Sequence, residues 1–165
     1  PTNCVGYTPL CAPDPATLAS GDLRAQPDWY ALLLTSSLIG ERPLPSTITE
    51  GSANLVAASF AGPDHLLKVV LVDDEPPGAS PLALRLNVGA GLGAGRVLRL
   101  TAPAQNATGG VLLGGRAVAP NGSWSNSMPA EGLSAQTGTI ALALPPDSAA
   151  LVTVGPRPHA SHRRR

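Results

Sequence analysis

Charge is scarce in this chain. Of its 165 residues only 13% are charged, and the formal net charge is zero, where about 25% charged is usual. No global field is available to draw in nucleic acid or an anionic membrane, so neither is expected as a partner. Aromatic side chains are scarcer still, at two Trp, two Tyr and one Phe. No apolar run reaches the roughly 18 residues that a membrane-spanning helix needs. Three histidines and two cysteines are present, with His159 and His162 in the tail, far in sequence from Cys4 and Cys11. A structural zinc site takes about four ligands, so no metal is expected. No Gly-x-Ser-x-Gly occurs, and no Cys–His pair lies in a suggestive context. The four glutamates are Glu41, Glu50, Glu75 and Glu131. None lies in an apolar setting that would raise a carboxyl pKa for acid catalysis. From the residues alone, no catalytic group and no cofactor are expected.

What the chain has in excess is glycine and proline, 18 of each, about twice the usual share. That composition favours short strands and many turns over helices. One stretch stands out as helical, Gln26 to Gly40. Pro27 suits a first helical position, because its missing N–H costs nothing there. Asp28 places a negative charge at the positive end of the helix dipole. Gly40 suits the left-handed position past a helix end, and Pro43 and Pro45 forbid continuation. Between these signals Trp29, Tyr30, Leu32, Leu33, Leu34, Leu38 and Ile39 cover most of the circumference. A helix apolar nearly all round is normally buried on more than one side. It reads as a joint, with the β-rich remainder of the chain on one side and something else on the other.

Residues 1–25 read as irregular loop, punctuated by Pro1, Pro9, Pro13, Pro15 and Gly21. Beyond Leu44 the period turns to alternation. Strands are expected at Asn54–Phe60, Leu66–Val72, Leu82–Val88, Arg96–Thr101, Val111–Leu113, Arg116–Ala119, Ile140–Leu144 and Ala149–Val154. Gly62-Pro63-Asp64, Asn121-Gly122 and Pro145-Pro146-Asp147 supply turns. The fold class predicted is mainly β, an antiparallel β-sandwich with one preceding α-helix. A closed barrel is the lesser option. The expected core includes Leu84, Leu86, Leu98, Leu142 and Val152, with Arg85 and Arg99 turned away from it.

Several patterns invite chemistry and carry little. Gly89-Ala90-Gly91-Leu92-Gly93-Ala94-Gly95 follows a strand but leads into another, where a phosphate loop needs a helix N-terminus; it reads as a flexible hairpin loop. Asp73-Asp74-Glu75 has calcium-like carboxylates but reads as a solvated loop. Asn106-Ala107-Thr108 and Asn121-Gly122-Ser123 match the glycosylation sequon. His159 to Arg165 reads as a disordered basic tail. Cys4 and Cys11, isolated and seven apart, suggest a small disulfide and with it an oxidising compartment; a pair of free thiols is the alternative. The first residue is Pro1, and the chain reads as the C-terminal portion of a longer protein.

The order of features resembles one family. Gly6-Tyr7-Thr8-Pro9-Leu10 comes first, then the helix opening Pro27-Asp-Trp-Tyr and continuing Leu-Leu-Leu. Alternating strands follow, with Lys68–Asp73 and Leu82–Val88 central. Leu113-Gly-Gly-Arg-Ala-Val-Ala-Pro-Asn-Gly-Ser-Trp124 is next, and Ala149-Ala-Leu-Val-Thr-Val154 closes the series. Over about residues 5–155 this is similar to the C-terminal part of glycoside hydrolase family 79, the β-glucuronidase and heparanase-like enzymes. The resemblance implies that residues 1–45 end a catalytic (β/α)8 barrel, as its last loop and helix. Residues 46–155 would be the C-terminal β-sandwich and 156–165 a disordered tail. It implies a retaining glycosidase whose two catalytic glutamates precede this sequence, so the piece alone would be inactive. The partners implied are the barrel of the same chain and a uronic-acid-containing glycan. Tyr7 is the position that matches the tyrosine holding the substrate's carboxylate, and a secreted setting is implied. The alternative is a free-standing sugar-binding or adhesion sandwich. Such faces usually display aromatic rings, and only Phe60 and Trp124 remain for it.

Overall fold

The computed structural model describes residues 4, 8–49, 51, 53–125 and 131–157. The chain is mainly β and antiparallel, as the alternation predicts. Two short strands, β1 (Leu10–Cys11) and β2 (Arg24–Ala25), pair with each other and flank helix α1 (Pro15–Ser20). The sequence reading made this region irregular loop, and the structure corrects it. The Asp14 carboxylate accepts from the Thr17 N–H at 2.8 Å, Pro15 opens the helix, and Gly21 ends it at φ 76°. Those are ordinary helix start and stop signals, compressed into six residues.

Helix α2 (Pro27–Ser36) opens as predicted, with Pro27 in its first turn and Asp28 beside it. It stops at Ser36 instead of running to Gly40. The hydroxyls of Thr35, Ser36 and Ser37 donate back to the carbonyls of Ala31, Leu33 and Leu34, at 2.8, 2.7 and 3.3 Å. Such bonds compete with the helical ladder in its last turn. Gly40 still takes the left-handed conformation, at φ 81°, three residues past the helix cap Ser37.

The remaining strands are β3 (Arg42–Leu44), β4 (Leu55–Ala61), β5 (Leu67–Asp73), β6 (Leu82–Asn87), β7 (Leu92–Thr101), β8 (Leu112–Leu113), β9 (Glu131–Ser134), β10 (Thr139–Leu144) and β11 (Ser148–Pro156). They form two layers. The large sheet runs β3-β4-β5-β11-β7-β8, and β9 also pairs with β7. The small sheet is β6 with β10, in a register that sets Leu84 opposite Leu142 and Leu82 opposite Leu144. The large sheet thus takes in β3, ahead of the boundary expected at residue 46.

Both faces of the large sheet are covered. Its inner face meets the small sheet through Val69, Leu71, Val97, Ile140, Leu142, Leu144, Ala150, Val152 and Val154, with Leu82, Leu84 and Leu86 packed against them. Its outer face meets α2 through Tyr30, Leu34, Val111, Leu113 and Leu151, joined by Leu98, Leu100 and Trp124. Here the expected register of β7 is reversed. Leu98 faces the helix, and Val97 occupies the core between the sheets. Arg99 accordingly lies on the inner side, at its rim. It donates to the Ala143 carbonyl of β10 at 2.9 Å and forms a two-pronged ion pair with Glu131 at 2.7 and 2.9 Å. Alternation in Val97-Leu98-Arg99-Leu100 cannot choose a face when both faces are apolar. Arg85 stays exposed, as expected.

The expected glycine-rich hairpin loop is half strand. Its turn is confined to Ala90–Gly91, and β7 begins at Leu92. A Cβ on Gly95 would come within 2.9 Å of the Thr153 carbonyl, and one on Gly93 within 2.8 Å of Arg157 Cα. These glycines let β7 approach β11 closely.

Candidate functional site

The described residues between Cys4 and Gln26 fold back on themselves. The structure bonds Cys4 to Cys11, with Cα atoms 5.2 Å apart. Cys11 is 1% exposed. Gln26, 7% exposed, ties this closure to the helix start. Its side-chain amide donates to Cys11 Sγ at 3.0 Å and to the Cys4 carbonyl at 3.4 Å, and its N–H donates to the Pro9 carbonyl at 2.9 Å. At the other end of the excursion, hydrogen bonds from the Thr17 N–H and hydroxyl hold the Asp14 carboxyl below its usual range. Tyr7 lies outside the described residues, as do residues 158–165 of the expected basic tail.

Next to this closure is a cavity of about 370 Å3. Arg24, Gln26 and Tyr30 line it from the loop and helix, and Thr108, Gly109 and Val118 from the sandwich. The Tyr30 hydroxyl, on a residue 5% exposed, accepts the Val118 N–H at 2.9 Å. This contact spans 88 residues and fixes the start of α2 to the loop before Asn121. The cavity is therefore built jointly by the two halves of the chain.

The other end of α2 is fixed by the chain's single lysine. Lys68 donates to the Ser37 carbonyl at 3.1 Å and pairs with Glu41 and with Asp64, the latter at 3.3 Å. The Lys68 and Glu41 side chains are 11% and 6% exposed. The bond to Glu41, above all, raises the Lys68 pKa, against the opposing pull of burial. A Cβ on Gly62 would strike the Glu41 carboxylate at 2.2 Å, so the glycine makes room for the pair. Sequence reading missed this joint, because its partners are 27 residues apart and no local period connects them.

The carboxylates are spread over separate tasks. Glu131 is held by Arg99, which lowers its pKa. Glu75 accepts the Asn54 N–H at 2.7 Å. Asp73, 1% exposed, takes the Glu75 N–H at 3.0 Å. Among the described residues no group of three or more His, Cys, Asp or Glu is placed to hold a metal ion. Asn106 and Asn121 of the two sequons are both exposed.

No protein-family model and no curated protein matches the chain. Solved structures do. An arabinose-bound GH51 α-L-arabinofuranosidase aligns with 93% of this chain at 14% identity and a TM-score of 0.63. A GH51 arabinofuranosidase from Xanthomonas axonopodis pv. citri aligns with 81% at 15% identity and 0.55. A 4-O-α-L-rhamnosyl-β-D-glucuronidase from Fusarium oxysporum 12S, in complex with Rha-GlcA, aligns with 72% at 19% identity and 0.52. The chain spans only 22%, 27% and 27% of those three proteins. The likeness is one of fold. The chain has the architecture of the β-sandwich portion of glycoside hydrolases, and that architecture is shared across more than one of their families.

Proposed function

We propose that this chain is the C-terminal portion of a retaining glycoside hydrolase acting on uronic-acid-containing glycans. The loop and helix up to about Gly40 are the last elements of its catalytic (β/α)8 barrel. The supporting sandwich runs from β3 at Arg42 to the end of β11 at Pro156, ahead of a basic tail. The observation that carries this reading is the two-sidedness of α2. One side packs on the large sheet through Tyr30 and Leu34. Beyond that contact, Leu32 is 52% exposed and Ile39, just past the helix, 85%. A barrel packed there would bury them, which is worth about 1.5–3 kcal/mol for each side chain. Support comes also from the likeness to glycoside hydrolases roughly four times longer. The glucuronidase among them favours a uronic-acid substrate.

In this reading the helix start faces the barrel's substrate mouth, because barrel helices begin at the C-terminal face of the strands. Tyr7, in the loop before it, donates a hydrogen bond to the substrate carboxylate. The catalytic pair lies upstream, since retention needs two carboxyl groups about 5–5.5 Å apart across the scissile bond. The protein is secreted, in keeping with the Cys4–Cys11 bond.

The test compares this chain with one carrying the preceding barrel. Leu32→Ser and Ile39→Ser should leave the 165-residue chain within about 0.5 kcal/mol of its original stability, and each should destabilise the longer protein by about 1.5–3 kcal/mol. The longer protein should hydrolyse an aryl glucuronide, and this chain should not. Tyr7→Phe should weaken kcat/KM on that substrate by about 1.5–3 kcal/mol without moving Tm. Turnover by the 165-residue chain would overturn the assignment. An unaltered kcat/KM in Tyr7→Phe would remove Tyr7 from the site.

A further inference from the structure

A second cavity, of about 320 Å3, opens on the outer face of the large sheet beside the C-terminal half of α2. Its floor is one row of the sheet. Thr153 on β11 is paired with Lys68 on β5 and with Arg96 on β7. Strand spacing puts the two cations about 9.5 Å apart at the backbone. Leu33 of the helix and Trp124 stand at the walls.

The two cations differ in what remains free. Lys68 has three N–H donors and spends them on Glu41, Asp64 and the Ser37 carbonyl. Its charge is met by two carboxylates. Arg96 is exposed, and among the described residues it meets no carboxylate. It therefore offers five N–H donors in a planar fork with no carboxylate partner among the described residues. Asp64 also lines the cavity, and Lys68 and Arg96 together balance Glu41 and Asp64. The hydroxyl of Thr153 stands next to it on the floor. Trp124 turns its indole N–H away, to the Leu113 carbonyl at 3.2 Å, so what the ring contributes is apolar surface.

We infer that this cavity is a binding site for a carboxylate carried on a ring. The carboxylate lies across the Arg96 guanidinium, which suits it two-prong to two-prong. The ring body lies between Trp124 and Leu33, with Thr153 available to a hydroxyl on the ring. A cavity of this volume is at the small end of ligand pockets and matches a single ring. The site lies at the opposite end of α2 from the disulfide and does not rest on the glycosidase reading.

The test is titration of the 165-residue chain, followed by Trp fluorescence and by calorimetry. The probes are benzoate and glucuronate, with benzyl alcohol and glucose as neutral counterparts of the same two bodies. Binding by an acid and not by its neutral counterpart is expected. Benzoate alone identifies an apolar-bodied acid as the ligand class, and glucuronate alone a sugar acid. Arg96→Ala should weaken binding roughly ten- to a hundredfold, the usual worth of a hydrogen bond to a charged group. Arg96→Lys should recover part of it, since a point charge replaces the fork. Arg96 is exposed, so both variants should keep the parent's Tm. Equal binding of acids and neutral counterparts, no binding by either acid, or an Arg96→Ala variant that binds as tightly as the parent overturns the inference.

Discussion

The two faces of the large sheet are held by different physics. The inner face is apolar packing. Ile140, Leu144, Ala150, Val152 and Val154 are all at 0% exposure, and specificity there comes from shape. The outer face is a smaller apolar patch fixed to the helix at both ends by polar contacts, Tyr30 to Val118 and Lys68 to Glu41, Asp64 and Ser37. A dry interface between two sheets tolerates no opening. A helix on polar pins is set in position and orientation while large apolar residues at its far side stay exposed. The inner layer is thus held by close packing, and the outer layer fixes the position of α2 through a few polar contacts at its two ends.

The comparison breaks first at Lys68. Lys68→Met removes the cation and leaves Glu41 buried beside Asp64. Breaking a buried pair in this way costs about 3–5 kcal/mol, so this should be the largest loss from one change, read by chemical denaturation. Adding Glu41→Leu should restore much of it, because an apolar pair avoids the desolvation. If Lys68→Met proves mild, the helix is held by its apolar contacts and the contrast between the faces fails. Leu144→Ala tests the other face. It should cost about 3 kcal/mol through transfer and cavity terms, and no polar partner substitution should rescue it.

Cys4→Ser with Cys11→Ser should cost about 2 kcal/mol, the low end for a disulfide because the loop it closes is short. The unaltered protein should show no free thiol when denatured without reductant; two free thiols would remove the bond. The smallest effect is at the rim of the inner core. Arg99 holds the Glu131 pKa below its ordinary 4.5. Glu131 thus contributes stability above that value and loses it as pH falls through the lower folded value. Glu131 is half exposed, so the loss should be under about 1 kcal/mol. In Arg99→Gln that part of the pH dependence should vanish.

Legibility in the sequence follows the same divide. Ile140, Leu142 and Leu144 alternate with Thr139, Ala141 and Ala143, and one side of the small sheet is solvated, so the period names the buried face. Leu98 defeats the same rule, because the sheet around it is buried on both faces. Asp14-Pro15 carried a helix-start signal that the many prolines nearby obscured. The start of α2 was readable from Pro27 and Asp28; its early end depends on hydroxyls that also tolerate helix. The candidate site was the least legible part. Tyr30–Val118 and Lys68–Glu41 join residues far apart in sequence, and nothing local marks them.

The place of β11 has a consequence in time. It is the last described strand along the chain, yet it sits between β5 and β7, in the middle of the large sheet. Until it arrives, β3-β4-β5 and β7-β8-β9 are separate ribbons with no strand to join them. During synthesis the N-terminal parts emerge first, at about 5–20 residues per second. Both ribbons then wait with open hydrogen-bonding edges on β5 and β7, rich in Val and Leu. Such edges invite pairing with other chains. A chain halted before Ser148 should therefore form aggregates, whereas one lacking only the residues beyond Arg157 should fold. Closure at the centre by the last strand makes completion of the sheet a late, cooperative event, and until then the edges of β5 and β7 stand open.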